Sequence, residues 1–292
     1  MLSALKSDVL QACFQGWINH IVQETGAQII PIDGKEMRGS YDRNHPQGAL
    51  RIVSAWAMEN RLMLGQVKVN EKSNEITAIP LLLESLEIKD CTITIDAMGT
   101  QKEIAKNIVE KEADYVLSLK RNHPRLHDEV ESWFEKAEKQ NFEGVNLSHA
   151  LSLETGHHRR EKREIWAVPL SDMGGLYQQD EWEGLQTLVR VERHRHLWNK
   201  STHEVQFYLT SLPCDAQVIG RAIRQHWSIE NQLHWVLDVT FSEDSSRIRR
   251  GYGAENFTFL RRMAISILNQ ESSKKRSLRQ KSRLASMSSQ YR

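Results

Sequence analysis

Between residues 29 and 139 two kinds of hydrophobic pattern alternate, and their order restricts the fold more than any other feature. Residues 29–32 form a short apolar run that stops at Asp33-Gly34, as a strand end would. Two β-rich runs, 50–58 and 62–69, are separated only by Glu59-Asn60-Arg61, a spacing that fits a hairpin. A helical stretch over 74–86 leads to CTITI (91–95), a run suited to a buried strand and ended by Asp96. A helix over 101–111, a strand over 115–119 and a helix over 127–139 follow. A meander followed by alternating helix and strand predicts an α/β fold, a mixed sheet flanked by helices. Upstream, Val9, Leu10, Phe14, Trp17, Ile18, Ile21 and Val22 give residues 7–24 the spacing of an amphipathic helix.

Residues 141–213 change character. They hold strand-like runs at 165–168, 187–191 and 205–209, with turn glycines at Gly156, Gly174, Gly175 and Gly184, and read as a mostly β insertion. One long helix is predicted over 215–238 and another over 254–268. The Ser- and Lys/Arg-rich end reads as a mobile basic tail. The expected division is 1–28 as an N-terminal helical segment, 29–140 as the first part of the core, 141–213 as the insertion, 214–270 as the C-terminal helices of the core, and 271–292 as the tail.

The 292 residues suffice for one large or two modest domains, and 39% hydrophobic with 26% charged residues is a globular composition. The net charge of +1 hides an asymmetry. Residues 243–292 hold 12 basic and 4 acidic side chains, leaving 27 basic and 34 acidic for residues 1–242. An acidic body with a basic end points to a polyanionic partner. Cys13, Cys91 and Cys214 are far apart, which excludes a zinc ribbon and suggests a reducing compartment. Lys6, Asp8 and Asn19 interrupt any signal-peptide core, and no apolar run is long enough to span a membrane.

Three carboxylates stand out. Asp33 and Asp96 each follow a β run, where binding sites form on open α/β sheets. Either can equally be a strand-terminating turn residue. On a straight helix over 215–238, Ile223, Glu230 and Leu237 fall on nearly one line, placing Glu230 on or beside the apolar stripe. A carboxylate there is costly unless it holds a cation or pairs with a base, here His226 or His234. Together the three carboxylates would suit Mg²⁺ or Mn²⁺, and a pair of such ions suits in-line displacement at phosphate. A zinc face from His226, Glu230 and His234 is disfavoured, because the two histidines lie about two turns apart.

The segments PIDGKEMRGS, ITIDAMGTQKEIA and RQHWSIENQLHWVLDVTFSEDSSRIRRGYGAEN resemble the H repeat-associated bacterial insertion-sequence transposases, members of the DDE superfamily with an RNase H-like core. The likeness runs from about residue 25 to 270, and its last segment is long and specific. It implies that Asp33, Asp96 and Glu230 are the catalytic, metal-binding triad, holding two Mg²⁺ (or Mn²⁺) ions. It also implies double-stranded DNA as substrate, cleavage and strand transfer as the reaction, a homodimer or larger synaptic complex, and a bacterial cytoplasmic, nucleoid-associated location without a membrane. Lys35 and Arg38 become candidate phosphate contacts, as do Lys120 and Arg121, in an element usually Lys-x-Asn-Gln that here ends in His123. Arg159 and Arg163 join them, in a run resembling His-Gly-Arg-x-Glu-x-Arg with His158 at the glycine. So do Arg247, Arg249 and Arg250. Gln101, just after Asp96, would start the next helix near the site. Trp227 and Trp235 could stack on a displaced base, though core packing is the first expectation. The Tyr, Arg and Lys that related subgroups carry near the glutamate are Ile223, His226 and Leu237 here, so a hairpin intermediate does not carry over. Two other readings stay open: a truncated remnant that only binds DNA, since few residues precede Asp33, and a stand-alone Mg²⁺-dependent nuclease.

Overall fold

The computed structural model of the chain describes residues 2–25, 28–41, 48–70, 73–156, 159–273 and 275–289. In chain order its elements are α1 (Ser7–Thr25), β1 (Ile29–Met37), β2 (Leu50–Ala57), β3 (Leu62–Lys68), α2 (Glu75–Glu84), β4 (Thr92–Ile95), α3 (Lys102–Glu110), β5 (Asp114–Leu119), α4 (Pro124–Lys139), β6 (Ser148–Gly156), β7 (Arg159–Pro169), β8 (Thr187–Leu197), β9 (Ser201–Thr210), α5 (Ala216–His226), α6 (Trp235–Val239), α7 (Gly253–Gln270) and α8 (Leu278–Met287). The chain forms two units, one of Met1–Ile88 with Gln225–Arg292, the other of Lys89–Arg224.

The first unit is built on an antiparallel meander in the order β3-β2-β1. β2 is buried along nearly its whole length, which is why LRIVSAWA runs apolar instead of alternating. α1 and α7 pack on β3, and α2 packs on β2 and β3. Trp56, Met63, Phe259 and Ile265 are sealed from solvent, and the Phe14 ring meets Phe259 edge-on at 5.5 Å. Each such side chain contributes about 1.5–3 kcal/mol by leaving water. The same core encloses an ion pair with no solvent exposure. Arg262 Nη1 lies 2.9 Å from Glu243 Oε1, and Arg262 Nε donates to Ser54 Oγ at 3.2 Å.

Two local expectations are corrected in this unit. β1 does not end at Asp33 but runs on to Met37, with Asp33 opposite Ser54 and Gly34 opposite Val53. Gly34 therefore continues the ladder instead of turning the chain, and the Glu75 carboxylate occupies the space where a β-carbon at Gly34 would stand. The C-terminal segment is not a loose tail. α8 starts in a capping box, Ser277 and Gln280 satisfying each other's backbone N–H groups, and buried Lys281 donates to the carbonyl of Leu268 at the end of α7.

The second unit has a mixed sheet in the order β4-β5-β9-β8-β7-β6. β4 and β5 are parallel, while β9, β8, β7 and β6 continue antiparallel from β5. α3 packs on β5 and α4 on β9. Phe134 and Phe207 face each other at 5.9 Å within this core. β7, β8 and β9 extend beyond the apolar runs of the sequence, and β6 had no such run at all. The outer halves of β7 and β8 are charged on both faces, so no apolar alternation marks them. The mixed α/β build is consistent with the RNase H-like expectation. Among the described residues, no helix is long and apolar enough to cross a membrane.

Candidate active site

The stretch read as one long helix is not uniform. α5 ends at His226, a turn at Trp227 interrupts the helix, and Glu230–His234 forms a π-helical turn in which Trp235 N–H donates to the Glu230 carbonyl five residues back. π turns are rare and concentrate at functional sites. The break and the wider turn take Glu230 off the line of Ile223 and Leu237. Those two are buried, whereas the Glu230 side chain is 60% exposed. The side chain that turns inward is His234, and the tryptophans on either side face solvent at 52% (Trp227) and 58% (Trp235). The core-packing expectation for the two tryptophans is thus overturned.

His234 brings the first unit's carboxylates together. Its Nδ1 lies 3.4 Å from Glu230 Oε1 and 3.6 Å from Asp33 Oδ2. Asp33 Oδ1 accepts from the N–H of Gly34 at 2.9 Å, leaving Oδ2 turned toward the histidine. One donor atom from each of Asp33, Glu230 and His234 falls within 4.8 Å of the others. The hydrogen bond from His234 holds the Glu230 carboxyl below its ordinary range, outweighing its partial burial, with help from the positive charge of Lys35. His234 Nε2 is buried and has no hydrogen-bond partner among the described residues. Two carboxylate oxygens facing one another across an imidazole are a donor set that fits a divalent, oxygen-seeking cation.

Lys35 sits further along β1. It is mostly buried and committed to Asp238 at 2.9 Å and Asp244 at 3.4 Å, so it ties β1 to the chain around α6. Arg38 is 83% exposed beside Asp244, and Arg249 donates to the carbonyl of Gly39 at 3.2 Å. Arg247 and Arg250 are exposed on the same loop.

Asp96 belongs to the second unit, directly after β4. Its Oδ1 accepts from the N–H groups of Met98 and Gly99 at 3.1 and 3.2 Å, and its backbone carbonyl accepts from Thr100 Oγ1 at 3.0 Å. Asp96 therefore does shape a turn. The loop after β5 holds that turn in place. Asn122 Nδ2 donates to the Ala97 carbonyl at 2.6 Å and His123 Nε2 to the Thr100 carbonyl at 2.7 Å. His123, which departs from the family element, thus has a positioning contact of its own. Lys120 and Arg121 are exposed, and Gln101 is the residue that precedes α3.

Arg159 and Arg163 flank buried Glu161 on β7. Arg163 is 15% exposed and donates to Glu161 at 2.6 Å, and its burial lowers its pKa. Arg193 and Arg195 of β8 lie on the same carboxylate at 3.1 and 3.4 Å. The sequence reading missed these two, although their alternation with His194 and His196 marked one strand face. His157 and His158 lie outside the described residues.

A family model described as "Transposase DDE domain" matches residues 24–267. "Putative transposase YncI" of Escherichia coli O157:H7 is 41% identical over 271 residues, 92% of this chain and 68% of that protein. "H repeat-associated putative transposase YhhI" of Escherichia coli (strain K12) is 38% identical over 297 residues, covering all of this chain and 77% of that protein. With that match over most of its length, the chain belongs to the DDE-domain transposases, alongside the H repeat-associated members.

Proposed function

We propose that the protein cleaves DNA at the ends of an insertion sequence and joins the freed ends to target DNA. The observation that carries this reading is the approach of Asp33 and Glu230 to one buried histidine, although they come from opposite ends of the chain. Asp33, Asp96 and Glu230 would hold two divalent cations, Mg²⁺ or Mn²⁺. When bound, these supply Lewis acidity for in-line displacement at phosphorus. His234 keeps the Glu230 carboxylate ionised and aimed, and Asn122 and His123 hold the Asp96 turn. The reaction consists of hydrolysis of a phosphodiester, which leaves a 3′-hydroxyl, and attack of that hydroxyl on a target phosphodiester. No side chain is needed as a covalent nucleophile.

Arg38, Arg247, Arg249 and Arg250 of the first unit, and Lys120, Arg121 and Arg159 of the second, would contact the DNA backbone. Lys35 and Arg163 are already committed to carboxylates and would act by positioning them. Trp227 and Trp235 offer exposed faces beside Glu230 on which a base could stack. Two DNA ends held together call for a dimer or larger assembly.

The test is Mg²⁺-dependent cleavage of the cognate element end, with strand transfer read in the same reaction. Loss of both in Asp96→Ala supports the assignment, and unchanged cleavage in that variant overturns it. Cleavage without joining would make the protein a nuclease, and binding without cleavage would make it a DNA-binding remnant.

A further inference from the structure

The second unit carries a cluster that the transposition reading does not use. β8 and β9 form a hairpin in which His194 stands directly opposite His203. Glu192 lies two residues back along β8, on the same face, because alternate residues of a strand share a face. The two imidazole rings stack, with centroids 4.2 Å apart and 12° between their planes. The Nε2 atoms of both rings address one oxygen, Glu192 Oε2, at 3.6 Å from His194 and 3.4 Å from His203. The other oxygen, Oε1, is held by the Arg190 guanidinium. Arg190 is itself fixed by Glu138 at 2.9 Å and lies over the Trp166 ring. One carboxylate oxygen is thus anchored in the fold, and the other is presented to two ring nitrogens.

Two imidazole nitrogens and one carboxylate oxygen are the set with which zinc is held at three protein ligands, a fourth position remaining for water. Imidazole selects zinc-class transition metals over Mg²⁺ or Ca²⁺. Tetrahedral zinc places its donor atoms about 3.3 Å apart. The His203–Glu192 spacing is already close to that value, and one donor atom from each residue lies within 4.8 Å of the others. The side chains of His203 and His194 are 50% and 35% exposed, so an ion can reach the rings from solvent. Arg190 plays the part usual for groups behind a metal ligand, fixing the carboxylate by its second oxygen. Besides Arg190, a positive charge faces the cluster from Lys162, across from His194 on β7, and it is paired with Glu164 at 2.5 Å.

We propose that Glu192, His194 and His203 form a zinc-class transition-metal site that clips β8 to β9, sharing no residue with the Asp33, Asp96 and Glu230 set. The inference does not depend on the proposed reaction. Its test is titration of the metal-free full chain with Zn²⁺ alone, read by competition with a chromogenic chelator, for the wild type and for His203→Gln and Glu230→Gln. The expected result is one Zn²⁺ equivalent that Glu230→Gln retains and that His203→Gln binds at least tenfold more weakly, with excess Mg²⁺ failing to displace it. Equal zinc binding by the wild type and His203→Gln overturns the site. If His203→Gln does not fold, Co²⁺ bound to Glu230→Gln decides. An intense visible band of four-coordinate cobalt supports the site, and the weak band of octahedral cobalt overturns it.

Discussion

The Asp33, Glu230 and His234 cluster of the first unit has two carboxylates and one histidine, and the Glu192, His194 and His203 cluster of the second has two histidines and one carboxylate. The inverted ratio selects different cations, hard oxygen-seeking ions in one and zinc-class metals in the other. Their construction differs as well. Asp33, Glu230 and His234 meet only because β1 and a distant π turn are packed together, with Lys35 bonded to Asp238 and Asp244 as one of the ties. Glu192, His194 and His203 meet because a single hairpin closes in register. The first arrangement joins segments from distant parts of the sequence, whereas the second takes its three residues from one hairpin and leans on α4 and β7 through Arg190.

The largest effect that separates the two is on chemistry. Glu230→Gln and Asp33→Asn should each lower Mg²⁺-dependent cleavage by about 100-fold or more, several kcal/mol of transition-state stabilisation. Zinc uptake at the hairpin should be unchanged. A gel assay on the cognate end checks the first, and persistent cleavage would break the comparison. The next effect is on the support of the first cluster. Glu243→Ala leaves the Arg262 guanidinium buried without its counter-ion and should cost about 3–5 kcal/mol in urea unfolding. Replacing both partners, Glu243→Leu with Arg262→Met, should cost far less, because no charge is then stranded.

The sequence disclosed these two regions unequally. The apolar runs at 50–58, 62–69, 91–95 and 115–119 are buried and single-purpose, and β2 to β5 stand where those runs predict them. Asp33 was visible as a carboxylate beside a β run, but nothing marked β1 as continuing through Gly34. Glu230 was legible through the resemblance and misread in its surroundings. A straight-helix register cannot foresee a π turn, but it did put His234 beside the apolar stripe as a partner for Glu230, and the two lie 3.4 Å apart. The outer halves of β7 and β8 were hidden because RREKRE and ERHRHL carry charge on both faces. The hairpin cluster depends on the pairing of His194 with His203, which only the strand register supplies. α8 was readable after all. Ser277-Leu278-Arg279-Gln280 is a capping-box pattern that the basic composition overshadowed.

Two glycines probe how tightly each region is built. A β-carbon on Gly39 would stand 2.5 Å from the Asp244 carbonyl oxygen and 2.6 Å from that of Ser246, both backbone atoms of the segment that pairs with Lys35. Gly39→Ala should therefore destabilise the first unit by about 1–3 kcal/mol. In the second unit, a β-carbon on Gly220 meets only the tip of Ile165, a side chain that can turn away. Gly220→Ala also gains about 1 kcal/mol of helix propensity within α5, which offsets the rearrangement. Melting temperatures of the two variants measure the contrast, and a larger loss in Gly220→Ala would reverse the ranking.

The smallest effects concern pH, and they have opposite signs in the two units. Burial pushes the Glu255 carboxyl up at the start of α7. Its folded form holds the proton more tightly than the unfolded chain does, so ionisation costs stability as pH rises from the unfolded value through the folded one. Glu255→Gln removes that cost. The variant should be slightly more stable than the wild type at neutral pH, and the gain should vanish in acid. Asp172 is the converse. The backbone N–H of Asn146 donates to it at 2.7 Å and, with Ser171, holds its carboxyl below the usual range. Its contribution is present above the unfolded value and is lost as pH falls through the lower folded one. Asp172→Asn should thus be slightly less stable at neutral pH and equal to the wild type in strong acid. Urea midpoints of both variants across that range give the signs, and a shift in the same direction for the two at neutral pH would show that the stability of these units is not governed by the local burial and hydrogen bonding of their carboxylates.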